Sequence, residues 1–479
     1  MDIQAIEEQA SQKVAKKDFT GCISLLTPLV SSGDATAPMH KIYAESLYEQ
    51  GRYVESLPSF QYYLSHIGFE CPFAFFQKTR SAVGKSRLSK KEALDFWQSC
   101  SAQASIPFIQ SYQALLDENF ALAEQKFKEG LEIVYEDDTI RSLWHESFAI
   151  LKDALLGSAP SDYTPAEHGT KIFVSGSGWS GSSAFFDYFS EFEAVSRSPL
   201  EPHFIEYSFG LVNMVQSASD EKLFVKSCIL FFYYALLGQG EVNNQNDFKL
   251  LHTVQALATR KLDSLEYARR CRAATPVLAN CIVEYRKKIR QHSEILCDLF
   301  SGMINELVVG TQNRNKVVLL DNAIHIGRLD LFEYIKNAHV FCSFRDPRSN
   351  YTALCREYAG FRSTADEYIA TVNKTRKKFE TEIDRMNTVA NELKTNTIIH
   401  KIEFEQFVIS ENFRDGLAES IGLDLSKRRR HSLFKPWESL RNVNIYQEHL
   451  VKEDIIKIER ELREYCRELC MRKLPPEAE

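Results

Sequence analysis

Apolar positions follow two different periods along the chain, with the change near residue 160. Before it they recur at helical spacing, and three segments share one beat. In AKKDFTGCISLL, EQGRYVESLPSF and LDENFALAEQKF a turn residue precedes an aromatic, at Phe19, Tyr53 and Phe120, which opens an amphipathic helix. After it, short, mostly apolar, β-branched runs alternate with helical stretches. The predicted strands are Ile172 to Ser175, Ala194 to Ser198, Lys316 to Leu320, His339 to Ser343 and Thr397 to Ile402. Strands without polar alternation belong in a parallel sheet covered on both faces. A mainly helical stretch at about 204–310 is too long for a crossover and is expected as an insertion beside the sheet. Residues 364–394 and 446–473 each predict one long charged helix. The segment SAPSDYTPAEHGT, residues 158–170, lacks apolar periodicity and reads as a linker.

Phe19 and Tyr53 lie about 34 positions apart, and Tyr53 and Phe120 about twice that, which implies a degenerate copy near residues 85–97. This period and pattern, clearest in AESLYEQGRYVESLPSF, resemble tetratricopeptide (TPR) repeats. The resemblance implies a short solenoid whose concave face holds a protein partner. The expected organisation is an all-α TPR-like domain over 1–157, the linker at 158–170 and an α/β domain with a parallel sheet over 171–479, carrying the helical insertion.

Composition narrows the function. An apolar fraction of 44% supports burial, and a net charge of −7 argues against nucleic acid as the main partner. The most apolar run, Cys228 to Leu237, is far shorter than the roughly 20 residues of a membrane span, so a buried helix is expected and no integral membrane segment. Eleven cysteines without a CxxC pair or finger-like spacing give no zinc signature and no disulfide framework; a reduced, cytoplasmic chain follows. The N-terminus lacks the apolar core of a secretory signal. His325 and His400 are read as core or strand-edge residues, and no metal is called for.

The chemistry concentrates in KIFVSGSGWSGSSAFFDYF, residues 171–189. A strand ends where Gly176, Gly178 and Gly181 let the backbone turn, and a helix begins at Gly181 or Ser182. The first N–H groups of that helix lack carbonyl partners and sit at the positive end of its dipole, so they make an anion site, with Ser180, Ser182 and Ser183 adding hydroxyls. Three known patterns almost fit. G-x-G-x-x-G is met, with Glu201 placed to take a ribose, but the helical stretch interrupts the βαβ succession. The Walker A lysine position holds Ser182, which removes the cation a kinase or ATPase needs. A hydrolase elbow fails because Ser180 is followed two places on by Ser182.

A fourth pattern covers more of the chain. Ser180, Gly181, Ser182 and Ser183 resemble the S-G-S-S of the 5′-phosphosulfate loop in sulfotransferases that use 3′-phosphoadenylyl sulfate (PAPS), carbohydrate sulfotransferases above all. HVFCSFRDPRSNYTALCRE at 339–357 resembles that family's second signature, a strand ending in R-D-P-R. PLEPHFIE at 199–206 and FKPWESLRNVNIY at 434–446 resemble its E-P segment and its late nucleotide-covering loop. The resemblance runs over about residues 169–450. It implies a P-loop-like fold in which PAPS is held by Gly178, Trp179, Ser180, Gly181, Ser182 and Ser183, by Arg345 at the 3′-phosphate, and by Arg348, Thr352, Arg441 and Asn442. Glu201 or His203 are the implied bases for a hydroxyl acceptor, a glycan by the form of the loop. The basic run Lys427 to Arg430 either covers the phosphates, draws an acidic acceptor or is solvated surface.

Two positions depart from the family. Trp179 stands where a Lys or Arg normally sits over the donor's bridging oxygen; an indole offers one N–H and no charge. Ala353 replaces a serine eight places after Arg345, with Thr352 next to it on a different face. The alternatives are therefore an inactive nucleotide-binding scaffold or another nucleotide-dependent enzyme.

Overall fold

The computed structural model describes residues 3–67, 73–100, 105–160, 169–176, 180–198, 202, 204–207, 209–241, 247, 250–251, 254, 263–309, 317–357, 363–392, 395–449 and 451–466. The protein is mostly helical, with one small sheet of five strands, all parallel. It divides into two compact units: Met1–Tyr163 with Tyr207–Lys288, and Thr164–Glu206 with Ile289–Glu479.

The first unit is a succession of helical pairs. Helices Ile3–Ala15, Ala37–Glu49, Phe73–Lys85 and Ile106–Leu116 are each followed by a second helix, at Phe19–Ser32, Tyr53–Ile67, Lys90–Ser99 and Phe120–Val134. The pair containing Lys90–Ser99 occupies the region where the repeat spacing predicts a degenerate copy. Side-chain caps start the helices where the turn residues lie: Asp18 takes the Gly21 N–H, Asn119 takes that of Leu122, and Ser89 with Glu92 forms a reciprocal capping box.

The stretch expected as an insertion beside the sheet is divided instead. Residues 207–288 belong to the helical unit, while 204–206 and the part from Ile289 onward belong with the sheet. Packing explains this. The apolar run becomes helix Glu221–Phe231 and a π-helical turn, Phe232–Leu236, every residue of which is buried. Phe232 lies 6.3 Å from Trp144, Tyr233 lies 5.6 Å from Tyr112, and the Tyr233 hydroxyl meets Ser111 Oγ at 2.7 Å. Such aromatic burial is worth several kcal/mol, on the order of 1.5–3 per large side chain, so the run follows the helices that accept it.

In the second unit the strands are β1 (Lys171–Gly176), β2 (Val195–Arg197), β3 (Val317–Asp321), β4 (Ala338–Phe344) and β5 (Ile398–Glu403), in the order β2-β3-β1-β4-β5. Every predicted strand is present within two residues of its expected bounds. Side chains alternate across β1. Ile172 and Val174 join a core with helix Ser182–Ser190 and the 404–434 region, in which Phe185 stacks on Phe407 at 4.0 Å. Phe173 faces the other way and meets Phe332 edge-on at 5.0 Å.

Helix Ala365–Glu392 matches its expected span. The helix expected over 446–473 does not run through. A 3₁₀ turn ends at Glu448, the backbone is extended at His449 and Val451, and helix Lys452–Glu461 starts afresh. His449 is the reason, since its ring is buried 5.5 Å from Tyr351 and pulls the chain inward at the break. The expected linker lies largely outside the described residues. No helix among the described residues is long and apolar enough to cross a membrane.

Candidate functional site

The strand order fixes where a ligand crevice opens. From β1 the chain leaves for β2 at one edge of the sheet, and from β4 it leaves for β5 at the other, so the connections diverge at the carboxyl ends of β1 and β4. These strands are neighbours, about 4.8 Å apart, and Gly176 pairs with Ser343 in their register. Ser343 Oγ donates to the carbonyl of Ser180 at 2.8 Å, which ties the end of the β1 loop to β4.

Both described glycines of the loop are required by contact. A Cβ on Gly176 would sit 2.1 Å from Ser180 Oγ. Gly181 adopts a left-handed φ of +87°, and a Cβ there would meet the Phe404 ring at 2.2 Å. Helix Ser182–Ser190 starts immediately after it without a side-chain cap, leaving its first N–H groups directed at the loop. Ser180 is buried, and its Oγ finds no hydrogen-bond partner among the described residues. Ser182 is half-buried and Ser183 exposed. Ser177, Gly178 and Trp179 lie outside the described residues, as do Glu201 and His203.

Arg345 follows β4 and is 7% exposed. Its guanidinium lies over the face of Phe404, 5.1 Å from the ring centroid, so one aromatic ring touches both Gly181 and the arginine. An Arg345 Nη donates to the carbonyl of Asn442, which brings the 434–446 segment onto the site through its backbone. Arg441 beside it is exposed. Burial pulls the Arg345 pKa down, opposed by Glu405 and Asp346; an arginine remains a cation under these conditions.

Two expected contributors point elsewhere. Arg348 is buried in a two-bond pair with Asp346, at 3.1 and 2.8 Å, and donates to Glu459 at 3.1 Å. Its guanidinium also covers Tyr446 at 4.2 Å. It pins the turn after β4 to the C-terminal region. Thr352 is fully buried and donates to the carbonyl of Arg348 at 2.9 Å, a bond within its own helix. Of the basic run, Arg428 is buried against Glu191 and Asp415, Arg430 pairs with Glu411, and Lys427 lies 3.9 Å from Asp424. These partners give Arg428 a structural role, while Lys427, Arg429 and Arg430 are exposed.

Other site residues carry no mark in the pattern of the sequence. Glu405, 1% exposed, accepts the Asp346 N–H through Oε1 at 2.9 Å, and its Oε2 is buried with no partner among the described residues. Burial pushes its pKa up to about 7. Arg376 donates to the Arg345 carbonyl at 3.4 Å and to Glu403 at 3.3 Å, joining the ends of β4 and β5. The one available signal for Glu405 was an acid inside the apolar run KIEFEQFV at a strand end. Arg376 lies among many charges of a long helix and offered none.

The arrangement can hold two anionic groups, one at the N-terminus of helix Ser182–Ser190 and one at Arg345, across adjacent strand ends. No cluster of three or more His, Cys, Asp or Glu side chains suited to a metal occurs among the described residues. Comparison with known protein families, with curated proteins and with solved structures found no match.

Proposed function

We propose that the protein is a sulfotransferase that moves a sulfuryl group from PAPS to a hydroxyl acceptor, with glycans as the acceptor class. One observation carries this reading: Gly181 and Arg345 both lie against the Phe404 ring, beside the divergence point of the sheet. The S-G-S-S bend then cradles the 5′-phosphosulfate end with backbone N–H groups, and Arg345 takes the 3′-phosphate. Asn442 orders the arginine from the covering segment. In the transfer, the acceptor oxygen bonds to sulfur, the bond from sulfur to the bridging oxygen breaks, and the acceptor proton passes to a base, for which Glu201 and His203 are the candidates. Adenosine 3′,5′-bisphosphate leaves. The paired helices form a TPR-like scaffold for a protein partner, and a cytoplasmic location accompanies this reading, supported by described cysteines that are all free.

Calorimetry with adenosine 3′,5′-bisphosphate and with ATP tests it. The bisphosphate should bind more tightly than ATP, and Arg345→Ala should weaken it by roughly ten- to a hundredfold, the worth of charge-assisted hydrogen bonds. Equal binding of both nucleotides, together with an Arg345→Ala variant that binds normally, would sink the reading.

Trp179 supports a second one, a nucleotide-binding scaffold without turnover, because its indole brings no charge where the family's Lys or Arg would sit over the leaving oxygen. Labelled-sulfate transfer from PAPS separates the two, and under the first reading Trp179→Lys should raise the rate.

A further inference from the structure

Glu405 is a buried carboxylate with one committed oxygen and one open one, placed next to a buried cation. Oε1 is held by the Asp346 N–H, at the turn where β4 delivers Arg345. The preceding residue, Phe404, carries the Arg345 guanidinium on its ring. Charged neighbours from the surrounding elements are already engaged with one another. Asp346 is spent on Arg348, Arg376 bonds Glu403 and the Arg345 carbonyl, and the Tyr368 hydroxyl donates to Pro347 O and Asn350 Oδ1. Asp346 also attracts the Arg345 guanidinium, but of these two carboxylates it is Glu405 that keeps a buried oxygen without a hydrogen bond among the described residues.

We infer that Glu405 is the exchangeable counter-ion of Arg345: it balances the guanidinium in the empty site and takes up one proton from solvent when a phosphate-type anion docks there. The inference rests on the nucleotide reading above. Its logic is electrostatic. A dianion arriving at Arg345 brings like charge toward a carboxylate that burial already disfavours, so neutralising Glu405 removes the repulsion. Protonation also converts the open Oε2 from an unmet acceptor into a donor. Because burial places the Glu405 titration near neutrality, the exchange runs in the working range of pH. Glu405 acts through Arg345 and is thus a positioning residue.

The test is calorimetry of adenosine 3′,5′-bisphosphate binding at pH 8 in buffers of different ionisation enthalpy. At that pH the ligand's phosphates, with second pKa values near 6, contribute few protons of their own. Wild type should take up most of one proton, and its dissociation constant should rise about tenfold per pH unit above 7. Glu405→Gln keeps an oxygen for the Asp346 N–H; it should bind with no net proton uptake and a flat pH profile. Binding by wild type without proton uptake, or a Glu405→Gln variant that keeps the wild-type slope, overturns the inference while leaving the nucleotide reading intact. Absence of bisphosphate binding overturns both.

Discussion

Arg428 and Arg345 are both buried arginines beside buried glutamates in the sheet unit, yet Glu191 spends both of its oxygens and Glu405 only one. Glu191 Oε2 takes Arg428 Nε at 2.8 Å, while Oε1 takes the N–H groups of Leu433 and Phe434 at 3.0 and 2.9 Å. Arg428 continues to Asp415 and covers the Tyr188 ring at 4.2 Å. Glu191 is thus fully engaged, although one Arg428 Nη is buried without a partner among the described residues. It fixes helix Ser182–Ser190 to the strand-like segment that leads to Asn442. The Arg345–Glu405 neighbourhood is left open, with a buried acceptor unmet and a carboxyl near its titration point. A complete set of hydrogen bonds suits Glu191 to architecture, while the unmet oxygen of Glu405 leaves a group on which the proposed ligand can act.

The largest expected effect is on the pair of Glu191 and Arg428. Glu191→Ala strands a buried guanidinium and two backbone donors, and should cost about 3–5 kcal/mol of stability in denaturant unfolding. A loss below 1 kcal/mol would show that the two pairs do not differ as described. Gly181→Ala comes next. It combines a left-handed backbone with displacement of the Phe404 ring, for about 2–3 kcal/mol, and it should weaken nucleotide binding as well because the same ring supports Arg345. Loss of stability with unchanged binding would separate the ring from the site.

The smallest is Glu405→Gln, which sharpens the contrast through pH. The folded protein holds this carboxyl at about 7, above its ordinary range. Between those values the native state binds more protons than the unfolded chain, so this group's contribution to stability declines as pH rises toward 7 and then stays level. Thermal melts should therefore show Glu405→Gln more stable than wild type at pH 8, by about 1–2 kcal/mol, with the gain vanishing toward pH 5. A gain that is equal at both pH values would contradict the assignment.

What could be read from the chain differs between the two units for physical reasons. Mostly apolar runs bounded by polar turns marked all five strands; β1 and β4 are buried almost throughout, whereas the edge strands β2 and β5 are partly exposed. Aromatic spacing likewise marked the helix pairs. The destination of 207–288 was hidden, since Phe232 and Tyr233 advertise burial but not against what. At the site, glycines and an arginine at strand ends were visible by spacing. The ion pair of Arg348 and the intrahelical bond of Thr352 were not legible, because the same motif that positions Arg345 also builds the turn, and only geometry distinguishes the arginine over Phe404 from its bracing neighbour. Glu405 and Glu191 stayed silent, being ordinary acids whose role comes from residues far along the chain.

The interleaving of the two units has a consequence for synthesis. Strand β1 leaves the ribosome long before β3 and β4, its only partners in the sheet, and in between comes the segment that completes the helical unit. At translation rates of ~5–20 residues per second, an apolar strand must wait on the order of ten seconds with both edges bare. Nascent chains stalled before β3 should then be the aggregation-prone species, and chaperone capture should peak there, while the helical array has already closed.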